Sequence, residues 1–265
     1  MGRFYLPPHV LAAVAVLAAI GVLLLLLARP AAGQAPETSA GVALGPVAEQ
    51  PEAGASAPAT SPQAPGHEIA RPERGATILV RARPHGPVVA RLGATTEFGS
   101  PTTFAVAERR GPWLGVITTH VANGRLGWVN ETRSRLRVSR THVSLTLDLS
   151  ARRVVVRRGE KVVRRITVGV GRPSSPTPVG RFAVTDKLSG ARYSSAYGCC
   201  ILALSAHQTS LPAGWRGGDR IAIHGTNDPS SIGAASSAGC PHASAADMRF
   251  LFRVVPLGAP VVVRP

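Results

Sequence analysis

The sequence predicts a mainly β protein with one helix near the C-terminus of its folded part. From Gly75 onward, short apolar runs alternate with turn signals, which is typical of strands joined by tight turns. In this part, apolar residues recur at helical spacing over residues 245–255, which predicts a helix there. The 265 residues are enough for two small domains behind an apolar N-terminal segment.

The first 31 residues are predicted to form a cytoplasmic tip and a transmembrane helix. Residues 10–28 are almost wholly aliphatic and carry no charge. As a helix they would span roughly 28 Å, close to the ~30 Å hydrocarbon core of a bilayer. The apolar region of a cleaved signal peptide is shorter, about 7–15 residues, so the length favours an uncleaved anchor. Cleavage among the small residues 31–35 is the alternative, and both would export the rest of the chain.

Residues 32–74 are predicted to be a disordered linker. The segment consists mainly of Pro, Ala, Gly, Ser and Glu. Such a composition buries too little apolar surface to offset the entropy lost on ordering. Its expected role is to hold the folded part away from the membrane.

Residues 75–138 are predicted to form a small β-barrel. Five short strands are expected, at residues 77–80, 88–92, 103–107, 113–117 and 127–129. Short, evenly spaced strands are typical of small barrels. Trp113 and Trp128 are expected mainly to pack in the core, because large aromatic side chains serve burial first; a role in ligand binding is the alternative.

Residues 141–265 are predicted to form a second β domain. Residues 142–148 and 153–157 alternate between apolar and polar positions, and Gly159–Glu160 marks a hairpin turn before the next strand at 162–170. Residues 182–184 continue the sheet. Residues 189–218 are expected to be a loop region that covers the functional site.

The pattern that indicates chemistry in this domain is a histidine followed by a cysteine. The apolar run 220–223 predicts a strand that ends at His224, and a Gly- and Ser-rich loop then leads to Cys240, sixteen positions later. The thiolate form of a cysteine is the nucleophile, and a neighbouring imidazole can take the thiol proton. Gly239 allows backbone N–H groups to approach a developing oxyanion.

These residues resemble the signature of the L,D-transpeptidases, bacterial enzymes that cross-link peptidoglycan. The resemblance runs from Thr141 to Val263 and implies a β-sandwich-like catalytic domain. The matching segments are His224-Gly225-Thr226, Gly233, Ser237-Ala-Gly239-Cys240, Pro176-Thr-Pro-Val-Gly-Arg-Phe182, Ala203-Leu-Ser205 and Leu257-Gly-Ala-Pro-Val261.

The resemblance implies a role for each residue of the signature. Cys240 is the nucleophile, His224 is the base, and the carbonyl of Gly225 orients the imidazole. Backbone N–H groups of Gly239 and Cys240 are the implied oxyanion donors, and Ser237 is expected to hydrogen-bond within the loop or to cap it. The implied reaction releases D-alanine from a stem tetrapeptide and joins the acyl group to a second stem, without a cofactor.

Departures from the family pattern leave other functions open. Ala238 stands where the family usually has a second histidine, and Pro241 and His242 stand where it has an aliphatic residue followed by Arg or Asn. An L,D-carboxypeptidase, in which water accepts the acyl group, and a weak or inactive wall-binding protein are therefore alternatives.

Four side chains are predicted to contact the substrate peptide. Arg220 and Asn227 flank the site and are candidates to hold the peptide's carboxylates, although structural roles are equally compatible with their positions. Tyr197 lies in the segment expected to cover the site. His242 follows the nucleophile and is a candidate to replace the polar contact that Ala238 lacks.

The barrel segment also resembles a known family. Residues 109–116 and 124–129 resemble bacterial SH3-like domains, which often bind cell-wall material. Together the two resemblances predict an SH3-like domain followed by an L,D-transpeptidase domain in the bacterial cell envelope, facing outward from the cytoplasmic membrane. The expected partners are peptidoglycan stem peptides, the cell envelope and the membrane.

The net charge of +16 comes almost entirely from arginine and is predicted to lie on solvated strand faces, with attraction to an anionic envelope as a further effect. Nucleic acid is not the expected partner, because the chain is predicted to be exported. All three cysteines are expected to be free, since adjacent cysteines such as Cys199 and Cys200 seldom bond and a disulfide at Cys240 would block the nucleophile. A zinc site is not expected, because the Cys and His spacings match no common zinc pattern.

Overall fold

The computed structural model describes residues 66–265, which form two seven-stranded sheets, one two-stranded sheet and one α-helix. The predicted transmembrane segment and most of the predicted linker lie outside these residues. Within residues 66–265, no helix has the length and apolar character needed to cross a membrane.

The first of the two large sheets, called the N-terminal sheet below, is antiparallel throughout, with the order β3-β2-β6-β5-β4-β1-β7. No ladder joins the edge strands β3 and β7 in the described chain. Its strands are β1 (His67–Pro72), β2 (Ile78–Arg81), β3 (Val88–Leu92), β4 (Phe104–Arg110), β5 (Trp113–Ile117), β6 (Gly127–Asn130) and β7 (Leu136–Thr141).

All five strands predicted for the barrel segment are present, with bounds shifted by up to three residues. The prediction that the linker extends to residue 74 is wrong, because β1 (His67–Pro72) lies within the predicted linker. This strand pairs with β4 on one side and β7 on the other, and it buries Ile69 and Ala70. Backbone pairing on both edges gives β1 a stability that its polar composition does not indicate.

The core of the N-terminal sheet is small and aliphatic. Its buried residues are Ala70, Ile78, Val80, Phe104, Leu114, Val116 and Val129. Trp113 and Trp128 are each only 6% exposed, which confirms the expectation that they pack in the interior. The resemblance to an SH3-like barrel stays a prediction.

The second large sheet, called the C-terminal sheet, has the order β10-β9-β8-β16-β12-β13-β14. Its pairs are antiparallel except β16 with β8, which is parallel. Its strands are β8 (Val143–Asp148), β9 (Arg153–Arg158), β10 (Lys161–Thr167), β12 (Gly180–Ser189), β13 (Cys200–His207), β14 (Arg220–His224) and β16 (Pro260–Arg264). A short parallel pair completes the domain, β11 (Val170–Gly171) with β15 (Ala235–Ser237).

The prediction that residues 189–218 form a covering loop is wrong in its middle part, where β13 (Cys200–His207) is a strand of the sheet. This strand pairs with β12 and β14 near the edge of the sheet, and all of its residues except His207 are buried. A strand covered on both faces has no alternating pattern, so its apolar run did not resemble the other strands.

The predicted C-terminal helix is confirmed as α1 (Ala245–Val254). The side chain of Ser244 caps its first turn by accepting a hydrogen bond from the Asp247 N–H at 3.1 Å. Met248 and Leu251 are fully buried where the helix packs against β13. The helix therefore covers one face of the C-terminal sheet.

The prediction that all three cysteines are free is wrong for two of them, because Cys199 and Cys200 form a disulfide. The prediction placed both residues in one strand, where alternate side chains point to opposite faces. Only Cys200 belongs to β13, and Cys199 lies in the turn that follows Gly198, whose φ is 59°. Cys240 is free, as predicted.

Replacing a leucine of β13 tests how strongly this strand anchors the fold. Leu202 is completely buried, so Leu202→Ala is expected to lower the free energy of unfolding by about 2–5 kcal/mol through lost contacts and a residual cavity. The measurement is urea denaturation followed by circular dichroism. Leu211→Ala is the matched control, because Leu211 is exposed, and its expected effect is within about 0.5 kcal/mol. Equal losses in the two variants would contradict the assignment of β13 to the core.

Candidate active site

The segment that follows Cys240 is held against the end of β14 by backbone pairing. The His224 N–H donates to the Pro241 carbonyl at 3.1 Å, and the Ala243 N–H donates to the His224 carbonyl at 2.9 Å. His224 and His242 thus form a parallel bridge. This bridge uses the carbonyl of Pro241 and not its missing N–H, so proline at this position costs the pairing nothing.

The imidazole of His224 is oriented by the residue that follows it. Its Nδ1 lies 2.5 Å from the Gly225 carbonyl oxygen. Because a carbonyl only accepts, Nδ1 must be the protonated nitrogen, and Nε2 of the neutral ring is then free to accept a proton. Gly225 itself is fixed, since its N–H donates to the Cys200 carbonyl at 3.1 Å and a Cβ would lie 3.0 Å from the Tyr197 carbonyl oxygen.

Burial keeps this imidazole neutral. It lowers the pKa of His224 to about 4 from the usual 6.5; the Gly225 carbonyl opposes this shift, and the charge of a protonated His242 adds to it. At neutral pH the ring is therefore uncharged and able to act as a base.

The thiol of Cys240 is also held in its neutral form. Burial of the sulfur raises its pKa, while a hydrogen bond from the Ala222 backbone partly opposes the shift. The Sγ atom lies 3.9 Å from the Arg220 carbonyl oxygen, to which the thiol donates. In the resting site the thiol and the imidazole are thus both neutral, and attack requires a proton to leave the sulfur as the new bond forms.

A set of side-chain hydrogen bonds fixes the loop in front of Cys240. The Gly239 carbonyl accepts from Thr177 Oγ1 at 2.7 Å, and the Ala238 carbonyl accepts from Gln208 Nε2 at 3.0 Å. Gln208 Nε2 also donates to the Pro176 carbonyl at 3.0 Å. Gly239 has a φ of +123°, and a Cβ there would collide with Gln208 Nε2. Only glycine fits this position.

The two backbone N–H groups predicted to stabilise an oxyanion differ in their partners. The Gly239 N–H donates to Ser237 Oγ at 3.0 Å, so Ser237 does hydrogen-bond within the loop. The Cys240 N–H has no acceptor among residues 66–265. The N–H of Cys240 is therefore the donor available to a bound carbonyl.

Two further side chains surround the imidazole of His224. Tyr197 meets it edge to face, with ring centroids 4.9 Å apart, and His242 stacks on it at 6.0 Å with the rings 29° from parallel. His242 is 5% exposed, and its Nε2 lies 3.3 Å from the Ser231 carbonyl oxygen. Gly169 makes room for it, since a Cβ there would collide with the His242 ring.

The other two predicted substrate contacts lie in different surroundings. Asn227 is exposed on the loop after Gly225. Arg220 begins β14, and its guanidinium donates to Glu97, which lies between β3 and β4 of the N-terminal sheet, and to Thr185 of β12 in the C-terminal sheet. The substrate roles of all four side chains stay predictions.

Sequence reasoning did not assign roles to Thr177 and Gln208, the side chains that fix the loop at Gly239. Thr177 lies within the proline-rich segment 176–178, which contributed to the family resemblance, so the sequence did mark this residue as part of the domain's motif. Gln208 follows β13 in a region predicted to be loop, and a single glutamine there carries no spacing or motif that marks it. No group of three or more His, Cys, Asp or Glu residues in the described chain is arranged to hold a metal ion.

The C-terminal domain is similar to known sequences. Residues 142–263 match the family model of YkuD, the L,D-transpeptidase catalytic domain. The YkuD protein of Bacillus licheniformis is 28% identical over 121 residues, which are 46% of this chain and 65% of that protein. The Bacillus subtilis YkuD protein is 26% identical over 119 residues, 45% of this chain and 64% of its own. The matched part therefore spans just under two thirds of these relatives.

Solved structures of L,D-transpeptidases also align with the chain. One from Mycobacterium smegmatis aligns with a TM-score of 0.37 and 18% identity, over 53% of this chain and 73% of its own. An L,D-transpeptidase in complex with imipenem aligns with a TM-score of 0.38 and 22% identity, over 57% of this chain and 90% of its own.

The low pKa of His224 predicts a loss of stability in acid. The unfolded chain takes up a proton near pH 6.5, whereas the folded protein does so only near pH 4. Stability is therefore complete above about pH 6.5 and is expected to fall by about 3 kcal/mol as the pH drops to about 4. Urea unfolding at several pH values measures this slope, which should be smaller in His224→Gln. The control is His85→Gln, at an exposed histidine. If the free energy of unfolding of His224→Gln fell with pH as steeply as that of the wild type, His224 would not be the cause of the acid sensitivity.

Proposed function

We propose that residues 142–263, which belong to the YkuD family of L,D-transpeptidase catalytic domains, make this protein a peptidoglycan L,D-transpeptidase. The observation that carries the proposal is the backbone bridge between the His224 strand and the Cys240 segment. It brings a thiol and a neutral imidazole with a free Nε2 to the same end of the sheet.

In the proposed first half-reaction, the sulfur of Cys240 attacks a peptide carbonyl of a stem tetrapeptide, the carbonyl that links a diamino acid to the terminal D-alanine. The thiol proton passes to Nε2 of His224 as the S–C bond forms. The Cys240 N–H, which has no partner in residues 66–265, donates to the oxyanion. The C–N bond then breaks, His224 returns the proton to the leaving amine, and D-alanine departs.

In the proposed second half-reaction, an amine of a neighbouring stem attacks the thioester. His224 takes a proton from this amine and returns it to the departing sulfur, which regenerates the thiol and leaves an amide cross-link. Water in place of the amine would make the protein an L,D-carboxypeptidase. Asn227, Tyr197 and His242 are the proposed contacts of the bound peptides. For Tyr197 and His242 the support is that both rings lie against the ring of His224.

The N-terminal parts of the chain are proposed to bring the enzyme to its substrate. In this proposal residues 10–28 anchor the protein in the cytoplasmic membrane, the linker spans the space above it, and the N-terminal sheet is an SH3-like domain near the wall. The support is the apolar run and the net charge of +16, which attracts an anionic envelope.

Turnover of a purified disaccharide-tetrapeptide tests the proposed function. The full chain in mild detergent, incubated with this substrate and followed by mass spectrometry, is expected to release D-alanine and to form a cross-linked dimer. Because Cys240 is the proposed nucleophile, Cys240→Ala should lower the rate of D-alanine release at least about 1,000-fold.

The products distinguish the possible reactions. D-alanine without a dimer would identify a carboxypeptidase. A folded wild-type protein that releases no D-alanine and forms no covalent adduct at Cys240 would contradict the proposed function and favour a wall-binding protein. His85→Gln is the histidine control for His224→Gln, because His85 lies between β2 and β3 of the N-terminal sheet, and it should retain wild-type turnover.

A further inference from the structure

The strand that ends at His224 begins with a buried arginine whose guanidinium binds both sheets. Arg220 Nε donates to the Leu204 carbonyl at 3.1 Å, and its Nη2 donates to Thr185 Oγ1 at 2.7 Å. These partners belong to the C-terminal sheet. Its Nη1 lies 2.5 Å from Oε1 of Glu97, which belongs to the segment between β3 and β4 of the N-terminal sheet. The side chain of Arg220 is only 10% exposed.

A buried aspartate strengthens this junction between the sheets. Asp186 is completely buried, and its Oδ2 lies 3.6 Å from Arg220 Nη2. The hydroxyl of Thr96, in the same segment as Glu97, donates to Asp186 Oδ1. A cavity of about 220 Å³ lies beside these groups and is lined by both sheets. Asp186 Oδ2 has no hydrogen-bond partner among the described residues, so this buried carboxylate depends on its ion pair with Arg220 and on the hydrogen bond from Thr96.

A second contact between the sheets lies next to Arg220. The side chain of Asn123 pairs with the backbone of His207, donating to its carbonyl at 2.7 Å and accepting from its N–H at 2.9 Å. His207 Nε2 lies 2.7 Å from the Thr119 carbonyl oxygen. In the ladder between β13 and β14, His207 is the partner of Arg220. The start of β14 is therefore held by the N-terminal sheet through two neighbouring residues.

The backbone of the same arginine contacts the nucleophile. The carbonyl oxygen of Arg220 is the acceptor for the Cys240 thiol, at 3.9 Å. One residue therefore meets the N-terminal sheet through its side chain and the reactive sulfur through its main chain. A guanidinium with protein partners on three nitrogens and a nearby carboxylate is better placed to fix this strand than to bind a peptide carboxylate.

We propose that Arg220 is a positioning residue: Glu97 of the N-terminal sheet holds its guanidinium, and this fixes the carbonyl that orients the Cys240 thiol. The N-terminal sheet then contributes to the chemical step through this contact, besides any role in wall binding. The effect on turnover rests on the proposed function, whereas the effect on the thiol does not.

The test compares Glu97→Gln and Arg220→Lys with the wild-type full chain. Glu97→Gln keeps the size of the side chain and removes its charge, and half of this side chain is exposed, so the variant is expected to fold. The matched control is Glu108→Gln, at a glutamate of β4 that pairs with Arg110. With disaccharide-tetrapeptide as substrate, the two test variants are expected to lower kcat about tenfold and to leave KM within about twofold, since a misplaced group slows the reaction without weakening binding.

A second readout follows the thiol directly and needs no turnover. With the Cys199–Cys200 disulfide intact, Cys240 is the one cysteine that iodoacetamide can alkylate. The midpoint of its alkylation rate against pH is expected to fall in both test variants, because a displaced Arg220 carbonyl no longer stabilises the protonated thiol. Glu108→Gln should retain the wild-type midpoint. Thermal unfolding of each variant confirms that the compared proteins are folded.

Three results would overturn the proposal. A raised KM with unchanged kcat would make Arg220 a substrate contact. Wild-type kinetics and a wild-type midpoint in Glu97→Gln would show that the N-terminal sheet does not act on the thiol. A lowered kcat with an unchanged alkylation midpoint would show that the two substitutions slow turnover without acting on the Cys240 thiol. If the wild-type protein has no turnover, the proposed function fails, and the alkylation midpoint alone decides whether Glu97 and Arg220 position the thiol.

Discussion

The active site depends on two backbone hydrogen bonds that join the end of β14 to the segment after Cys240. They link His224 to Pro241 and Ala243, so they depend on no particular side chain. Neighbouring groups then adjust the two reactive residues. The backbone carbonyl of Gly225 selects the tautomer of His224, and the side chains of Thr177 and Gln208 fix the turn at Gly239. Because the bridge does not use the N–H of position 241, proline is accommodated directly after the nucleophile.

The same bridge explains how the site differs from the family pattern. His242 is carried by the bridge itself, so its ring lies on that of His224, and Gly169 leaves the space that the ring fills. Ala238 lacks the imidazole of the family pattern, and the backbone of this residue is held by Gln208. The departures thus change the surroundings of His224 and leave the pairing of its strand intact.

The sequence predicted most of the strands and the reactive pair, because both depend on local patterns. Alternating strands such as β8 and β9 have one face in the core and the other in solvent, so their periodicity is visible. In β13 both faces are covered, and β1 is ordered by its neighbours, so neither has such a pattern. The motif at His224 and Cys240 is likewise local. The roles of Gln208 and Arg220 arise from contacts between segments that are distant in the sequence, so no local spacing of residues predicts them.

The central claim is that a neutral Cys240 thiol becomes reactive when neutral His224 takes its proton. The pH dependence of Cys240 alkylation by iodoacetamide, followed by intact-protein mass spectrometry in wild type and His224→Gln, tests it most directly. Near pH 7 the variant should react about 100-fold more slowly. At high pH the two rates should approach each other, because the thiol then ionises without a base and the pKa of Cys240 is raised. Equal rates near pH 7 would contradict the claim.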